Sequence, residues 1–298
     1  RSAEQPPRTL HSADQSWARW LEFSPDERQL AVAHQEDLLL YDLASGDMQH
    51  RLRGHEEYVA CAAYAPDGRW LVSTGEDSSL RKWDARRGVL LAHRAAAHSR
   101  WIWRVRVLPD GERLLTLGAD GLLAAWDADL NRLDQQQAHA ASAWGLALHP
   151  DGTLIATSSS LPQEGIRLWR IHGPHLESLL TLPMPHQRDV EALAFSPDGR
   201  YLAAGSFDAS ISLWEVATQT LLHLLHGHED KIYDLRWNGA GLFSASVDGT
   251  IRRWDAASGA VTQVLRPQRA YEGMRIGQVQ GLPPGMAFQL AQLGALRS

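Results

Sequence analysis

A histidine, a serine or threonine, an aspartate and a tryptophan recur together along this chain. The complete sets are His55, Ser73, Asp77 and Trp83; His98, Thr116, Asp120 and Trp126; and His228, Ser244, Asp248 and Trp254. A hydroxyl, an imidazole and a carboxylate are the parts of a nucleophilic hydrolase site, so hydrolysis is the first chemistry to weigh. The repetition argues for structure instead: an enzyme needs one such set, and this one returns at regular intervals. Two further stretches are incomplete, with Ala204 where the hydroxyl should stand and no clear aspartate in residues 138–184. Histidines also crowd at His172 and His175, and at His223, His226 and His228, where a pair within reach could bind zinc. No cysteine or carboxylate completes a set at ligand spacing, so no metal is expected. The phosphate-binding pattern Gly-x-x-x-x-Gly-Lys-Ser/Thr is absent, and no cofactor is expected.

The elements that must position these residues are short. Residues 190–214, VEALAFSPDGRYLAAGSFDASISLW, read as three alternating strands joined by two tight turns and closing on Trp214. Pro197 presets the first turn's backbone angle and Gly199 supplies the freedom that follows it. One such small antiparallel sheet cannot bury both faces alone, so it needs copies of itself. Turn prolines recur at Pro25, Pro66, Pro109, Pro150 and Pro197, while Asn238-Gly239 has lost the proline. Closing aromatics recur at Tyr41, Trp83, Trp126, Trp169, Trp214 and Trp254. The opening histidines His55, His98, His139, His186 and His228 are separated by 41 to 47 residues.

That period, with the pairs Gly54-His55, Gly227-His228, Trp83-Asp84, Trp126-Asp127 and Trp254-Asp255, resembles the WD40-repeat family over residues 17–266. The resemblance implies an all-β propeller of four-stranded antiparallel blades forming a single domain. Six units are legible, at 14–53, 54–96, 97–137, 138–184, 185–226 and 227–266. Seven blades are expected, the last a composite of residues 4–12 and the tail 267–298; a six-bladed ring is the alternative. The resemblance also implies that the recurrent His/Ser-or-Thr/Asp/Trp sets bond within each blade. The tail, with Tyr-Glu-Gly-Met at 271–274, Gly281-Leu282 and Leu-Gly-Ala at 293–295, resembles the closing segment of WD40 regions in bacterial STAND-class signal-transduction ATPases. That likeness implies a sensor or autoinhibitory module contacting an upstream ATPase domain.

Composition narrows the partners. A formal net charge of −6 argues against a nucleic-acid partner, which would favour a basic stripe, so nucleic acid is not expected. No apolar run reaches membrane-spanning length, so no membrane partner is expected. The single cysteine, Cys61, fits a reducing, cytoplasmic setting.

The remaining signal is aromatic. Positions eight and six before each turn proline should share a face by strand alternation. They are Trp17 and Arg19, Tyr58 and Ala60, Trp101 and Trp103, Ser142 and Trp144, Asp189 and Glu191, and Lys231 and Tyr233. The residue before each turn aspartate, including Glu36, Glu76, Ala119, Phe207 and Val247, joins them. In the family these positions lie on the top face beside the central channel. Trp, Tyr and Arg anchor interfaces, so the expected function is non-catalytic recognition of a protein or peptide there, with Asp189 and Glu191 as a carboxylate pair opposite the rings. A scaffold for complex assembly without ligand sensing is the alternative. The loop at 158–165 is a second candidate.

Overall fold

A computed structural model describes residues 18–239 and 241–266. Among them lie six four-stranded antiparallel sheets, each formed by consecutive strands in chain order. The inner strands are Ala18–Phe23, Val59–Tyr64, Ile102–Val107, Ala143–Leu148, Val190–Phe195 and Ile232–Asn238, and the sheets they open are blades 1 to 6. Each inner strand packs beside the next along this order.

Strand sequences explain the stacking. Blade 2 opens with VACAAY and LVSTG, near-continuous small and branched residues, because both sheet faces are covered by neighbouring blades. Five apolar layers fill the five successive seams, and each carries the closing tryptophan of the later blade: Trp83, Trp126, Trp169, Trp214 and Trp254. Tyr41, the equivalent of blade 1, lies instead in a separate cluster with Leu30, Val32 and Leu39.

The expected seventh blade is not among the described residues, which hold the six of the alternative. The terminal stretches assigned to it, 4–12 and 267–298, lie outside them, as do Trp17 and the 271–295 tail motifs. The six blades do not close on themselves. No packing comparable to the other seams joins the inner strands of blades 6 and 1 among the described residues. Apolar side chains stand exposed on both sides of that gap. Phe23 of blade 1 is 59% exposed where its counterpart Phe195 is 8% exposed, and Ile251 of blade 6 is 44% exposed where Ile211 is fully buried.

Candidate functional site

Each inner strand carries one irregularity at the same place. Pairing with the second strand skips Arg19, Ala60, Trp103, Trp144, Glu191 and Tyr233, the residues six before the turn. Each is a β-bulge, where an extra residue leaves the ladder and its side chain is re-aimed. Simple alternation, the sequence-based expectation, is therefore the wrong geometry for this position. The residue eight before the turn is fixed otherwise. Its carbonyl accepts the N–H of the residue before the turn aspartate: Glu76 to Tyr58 at 2.9 Å, Ala119 to Trp101 at 2.8 Å, Phe207 to Asp189 at 2.9 Å and Val247 to Lys231 at 3.0 Å. The two groups meet where Trp101 touches Trp103 and where Phe207 touches Tyr233.

The rings on that face form a continuous run. Trp101 meets Trp103 edge-on at 5.2 Å, Trp103 stacks on Trp144 at 5.5 Å, Trp144 meets Phe207 at 6.0 Å, and Phe207 meets Tyr233 at 5.5 Å. The arc spans blades 3 to 6. Its middle is packed: Trp103 is 8% exposed and donates its indole N–H to Ser142 Oγ at 3.1 Å. Its ends are open, with Trp101 44% exposed and Tyr233 exposed; Tyr58 of blade 2 is exposed too. Lys231 lies over Phe207 at 4.9 Å, and Arg19 lies over Trp103 at 5.1 Å while pairing with Glu76.

The free carboxylate pair expected in blade 5 is not there. Glu191 receives a 3.0 Å ion pair from Arg104 of blade 3, while Asp189 is half-buried. Burial pushes the Glu191 carboxyl up, and the Arg104 guanidinium opposes that rise. Sequence reading missed Arg104 and its neighbours. Arg104 and Arg106 of blade 3 and Arg236 of blade 6 all lie over Trp20 of blade 1, at 5.1, 5.3 and 5.5 Å. Side chains from non-adjacent blades meet there, on the ring axis. Arginines at alternate positions of an otherwise apolar inner strand, WIWRVRV at 101–107, were the available signal.

The His/Ser/Asp sets hold blades together. Trp83 Nε1–H donates to Ser73 Oγ at 2.8 Å, Ser73 lies 2.8 Å from His55 Nε2, and His55 Nδ1 lies 2.9 Å from Asp77. Donor accounting makes the Ser73 hydroxyl the donor to Nε2 and the Nδ1–H the donor to the carboxylate. The same chain runs through Trp126, Thr116, His98 and Asp120, and through Trp254, Ser244, His228 and Asp248. Ser73 and Thr116 are fully buried, so no substrate carbonyl can approach them. Gly54 precedes this histidine at a φ of +152°, a backbone angle that residues with side chains rarely adopt.

The two incomplete sets are completed from places the sequence did not suggest. In blade 4 the loop at 158–165 turns through a short 3-10 segment, Pro162–Glu164, and delivers Glu164. Its carboxylate faces His139 Nδ1 at 3.1 Å and accepts Ser159 Oγ at 2.7 Å and Ala140 N–H at 2.8 Å. In blade 5 the hydroxyl comes from the third strand: Ser212 Oγ lies 2.9 Å from His186 Nε2 and accepts Trp214 Nε1–H at 3.1 Å.

These networks set an acid limit. Burial pushes His139 down to about 4, against the upward pull of Glu164, and burial also lowers His228. Unfolded histidine titrates near 6.5, so protons favour the unfolded chain, and this stability is complete above about pH 6.5 and lost as pH falls towards 4. Burial raises the Asp77, Asp208 and Asp248 carboxyls, but their hydrogen bonds to histidine, hydroxyl and backbone donors outweigh it and hold them well below the usual range. They add a further loss below about pH 4. His139 alone should make the chain about 2 kcal/mol less stable at pH 5 than at pH 7. Equal urea midpoints at the two values would refute this.

A propeller built of such blades, five of the six tied by an equivalent buried network, defines the class. The WD domain, G-beta repeat family matches residues 46–84, 131–169, 177–215 and 219–255, more than half of the chain. The chain belongs to the WD40-repeat family. It is similar to a chromatin assembly factor 1 component of Gallus gallus, at 27% identity over 41% of this chain and 26% of that protein. It is 30% identical to WD repeat-containing protein VIP3 of Arabidopsis thaliana, over 32% of each. Periodic tryptophan protein 2 of Arabidopsis thaliana matches more of the chain, 80%, at 24% identity and over 26% of that protein's length. The matches thus span about a quarter to a third of these curated relatives, which are eukaryotic WD proteins rather than bacterial ATPases. Among the described residues no helix is long and apolar enough to cross a membrane.

Proposed function

We propose that this chain is a non-catalytic recognition domain that holds a protein or peptide partner on its bulged, aromatic face, in a cytoplasmic setting. The observation that carries the reading is the run from Trp101 to Tyr233, packed in its middle and open at its ends, with Trp103, Trp144 and Tyr233 on bulged positions. Rigid aromatic ends over a packed base bury much area at little entropic cost. Relatives whose names describe one part of a multi-part assembly factor favour a role as a component that joins others. The Tyr-Glu-Gly-Met stretch at 271–274 favours a second reading, in which the same face serves the sensor module of a longer bacterial signalling ATPase.

Ring closure belongs to the same proposal. The apolar faces on both sides of the gap between blades 6 and 1, where Phe23 and Ile251 stand exposed, call for a further packed layer.

A random-peptide display library panned against the chain tests the face. Binders selected on the wild type should lose at least about 2 kcal/mol, roughly thirtyfold in affinity, on Trp101→Ala. Trp101 is the right probe because it is exposed, whereas Trp103 and Trp144 support the packing beneath. Binders indifferent to Trp101→Ala, with the fold retained by circular dichroism, would move the site elsewhere.

A further inference from the structure

Beside Trp101 a cleft of about 580 Å³ opens between blades 2 and 3 on the same face. Its lining carries the carboxylates of Glu56, Glu57, Glu76 and Asp77 against one guanidinium, that of Arg100. Two of the four are already engaged. Asp77 serves His55 within its blade, and Glu76 pairs with Arg19. Glu56 and Glu57 are exposed, and neither carboxylate forms an ion pair among the described residues. Their position is fixed from below, because the Glu56 N–H donates to Asp77 Oδ2 at 3.1 Å.

The molecule shows at this cleft what such a combination takes. Arg19 pairs with Glu76 and at the same time lies over the Trp103 indole at 5.1 Å. A guanidinium is thus held by a carboxylate and an indole together. The next ring of the run, Trp101, and the next carboxylates, Glu56 and Glu57, offer the same two elements on the exposed side. A planar guanidinium suits them better than an ammonium, because it stacks on an indole while its forked N–H groups bond a carboxylate.

We propose that this cleft receives an arginine side chain from the partner, stacked on Trp101 and paired with Glu56 and Glu57. The inference rests on the aromatic face being the working surface, and it names the partner's chemistry: an exposed, arginine-bearing segment.

The probe is a fluorescein-labelled peptide, Gly-Ser-Arg-Ser-Arg-Ser-Gly, and its twin with citrulline in place of arginine, which keeps the shape and removes the charge. Fluorescence polarisation on the full chain should show the arginine peptide binding at least tenfold more tightly than the citrulline twin. Trp101→Ala, and separately Glu56→Gln with Glu57→Gln, should each remove at least tenfold of the arginine peptide's affinity. Glu229→Gln, which neutralises an exposed glutamate of blade 6, should leave it unchanged. A lysine-substituted peptide should bind more weakly than the arginine one. Melting temperatures of the variants should match the wild type, since these side chains are exposed. Equal binding of the arginine and citrulline peptides, no binding of the arginine peptide, or an equal loss on Glu229→Gln would overturn the proposal. If the library binders above still depend on Trp101 while the two probe peptides behave alike, the face stands and the arginine cleft falls. If neither depends on Trp101, both fall.

Discussion

Glu164→Ala should cost about 3 kcal/mol of stability, although the substitution lies in a surface loop. The carboxylate is the hub of blade 4, facing His139 Nδ1 at 3.1 Å and accepting the Ser159 hydroxyl and the Ala140 N–H. His139 is fully buried, so its Nδ1–H cannot turn to water when the carboxylate is lost. A buried donor left unpaired costs about 1–3 kcal/mol, and the Ser159 hydroxyl loses its acceptor in the same step. Glu164→Gln keeps an oxygen acceptor in place and should recover part of the loss. Glu177→Ala, on the exposed outer strand His175–Leu182 of the same blade, should change stability by less than about 0.5 kcal/mol. Urea titration at pH 7.5 measures all three. A Glu164→Ala chain as stable as the Glu177→Ala control would mean that the loop is ornamental.

The contrast between Glu164 and Asp120 marks where sequence reading stops. Asp120 sits at a fixed distance behind a turn, so its role in the repeat is legible from spacing. Glu164 reaches the same place from an insert that breaks the spacing, and one more methylene makes up the distance. Ser212 hid for a related reason. It lies on the third strand of blade 5, and only the pairing of Ala204 with Ser212 reveals that the hydroxyl has crossed to the neighbouring strand. The turn prolines, the closing tryptophans and hence the blades were legible because each is a local, repeated feature. The aromatic positions were legible too, but their partners were not. Arg104 answers Glu191 across the ring, and no local rule couples blade 3 to blade 5. The bulges that re-aim Trp103, Trp144 and Glu191 are also silent in the sequence, because a bulge is a property of a pairing and the alternating strand text does not change.

Ile251→Asp with Leu265→Asp should destabilise the chain by at least about 3 kcal/mol, the response of a core site rather than of a surface. Both side chains are exposed on blade 6. Their counterparts in other blades, Leu38 and Ile211 for the first and Leu52 and Leu225 for the second, are buried against the following blade. A sequence that keeps isoleucine and leucine at these positions keeps the apolar face that a further blade requires. A further packed layer over that face would bury charges placed there without partners. If the face is solvent-facing, the same two aspartates should cost less than about 0.5 kcal/mol and improve solubility. Leu91→Asp, on the exposed outer strand Leu90–Arg94 of blade 2, supplies the surface control. The comparison is made on the 298-residue chain by thermal melting and urea titration. A double variant that melts with the Leu91→Asp control would reject such a layer and leave blade 6 with an open apolar face. A fall several times larger than the control would place Ile251 and Leu265 in a sixth apolar layer, equivalent to the five already seen between the described blades.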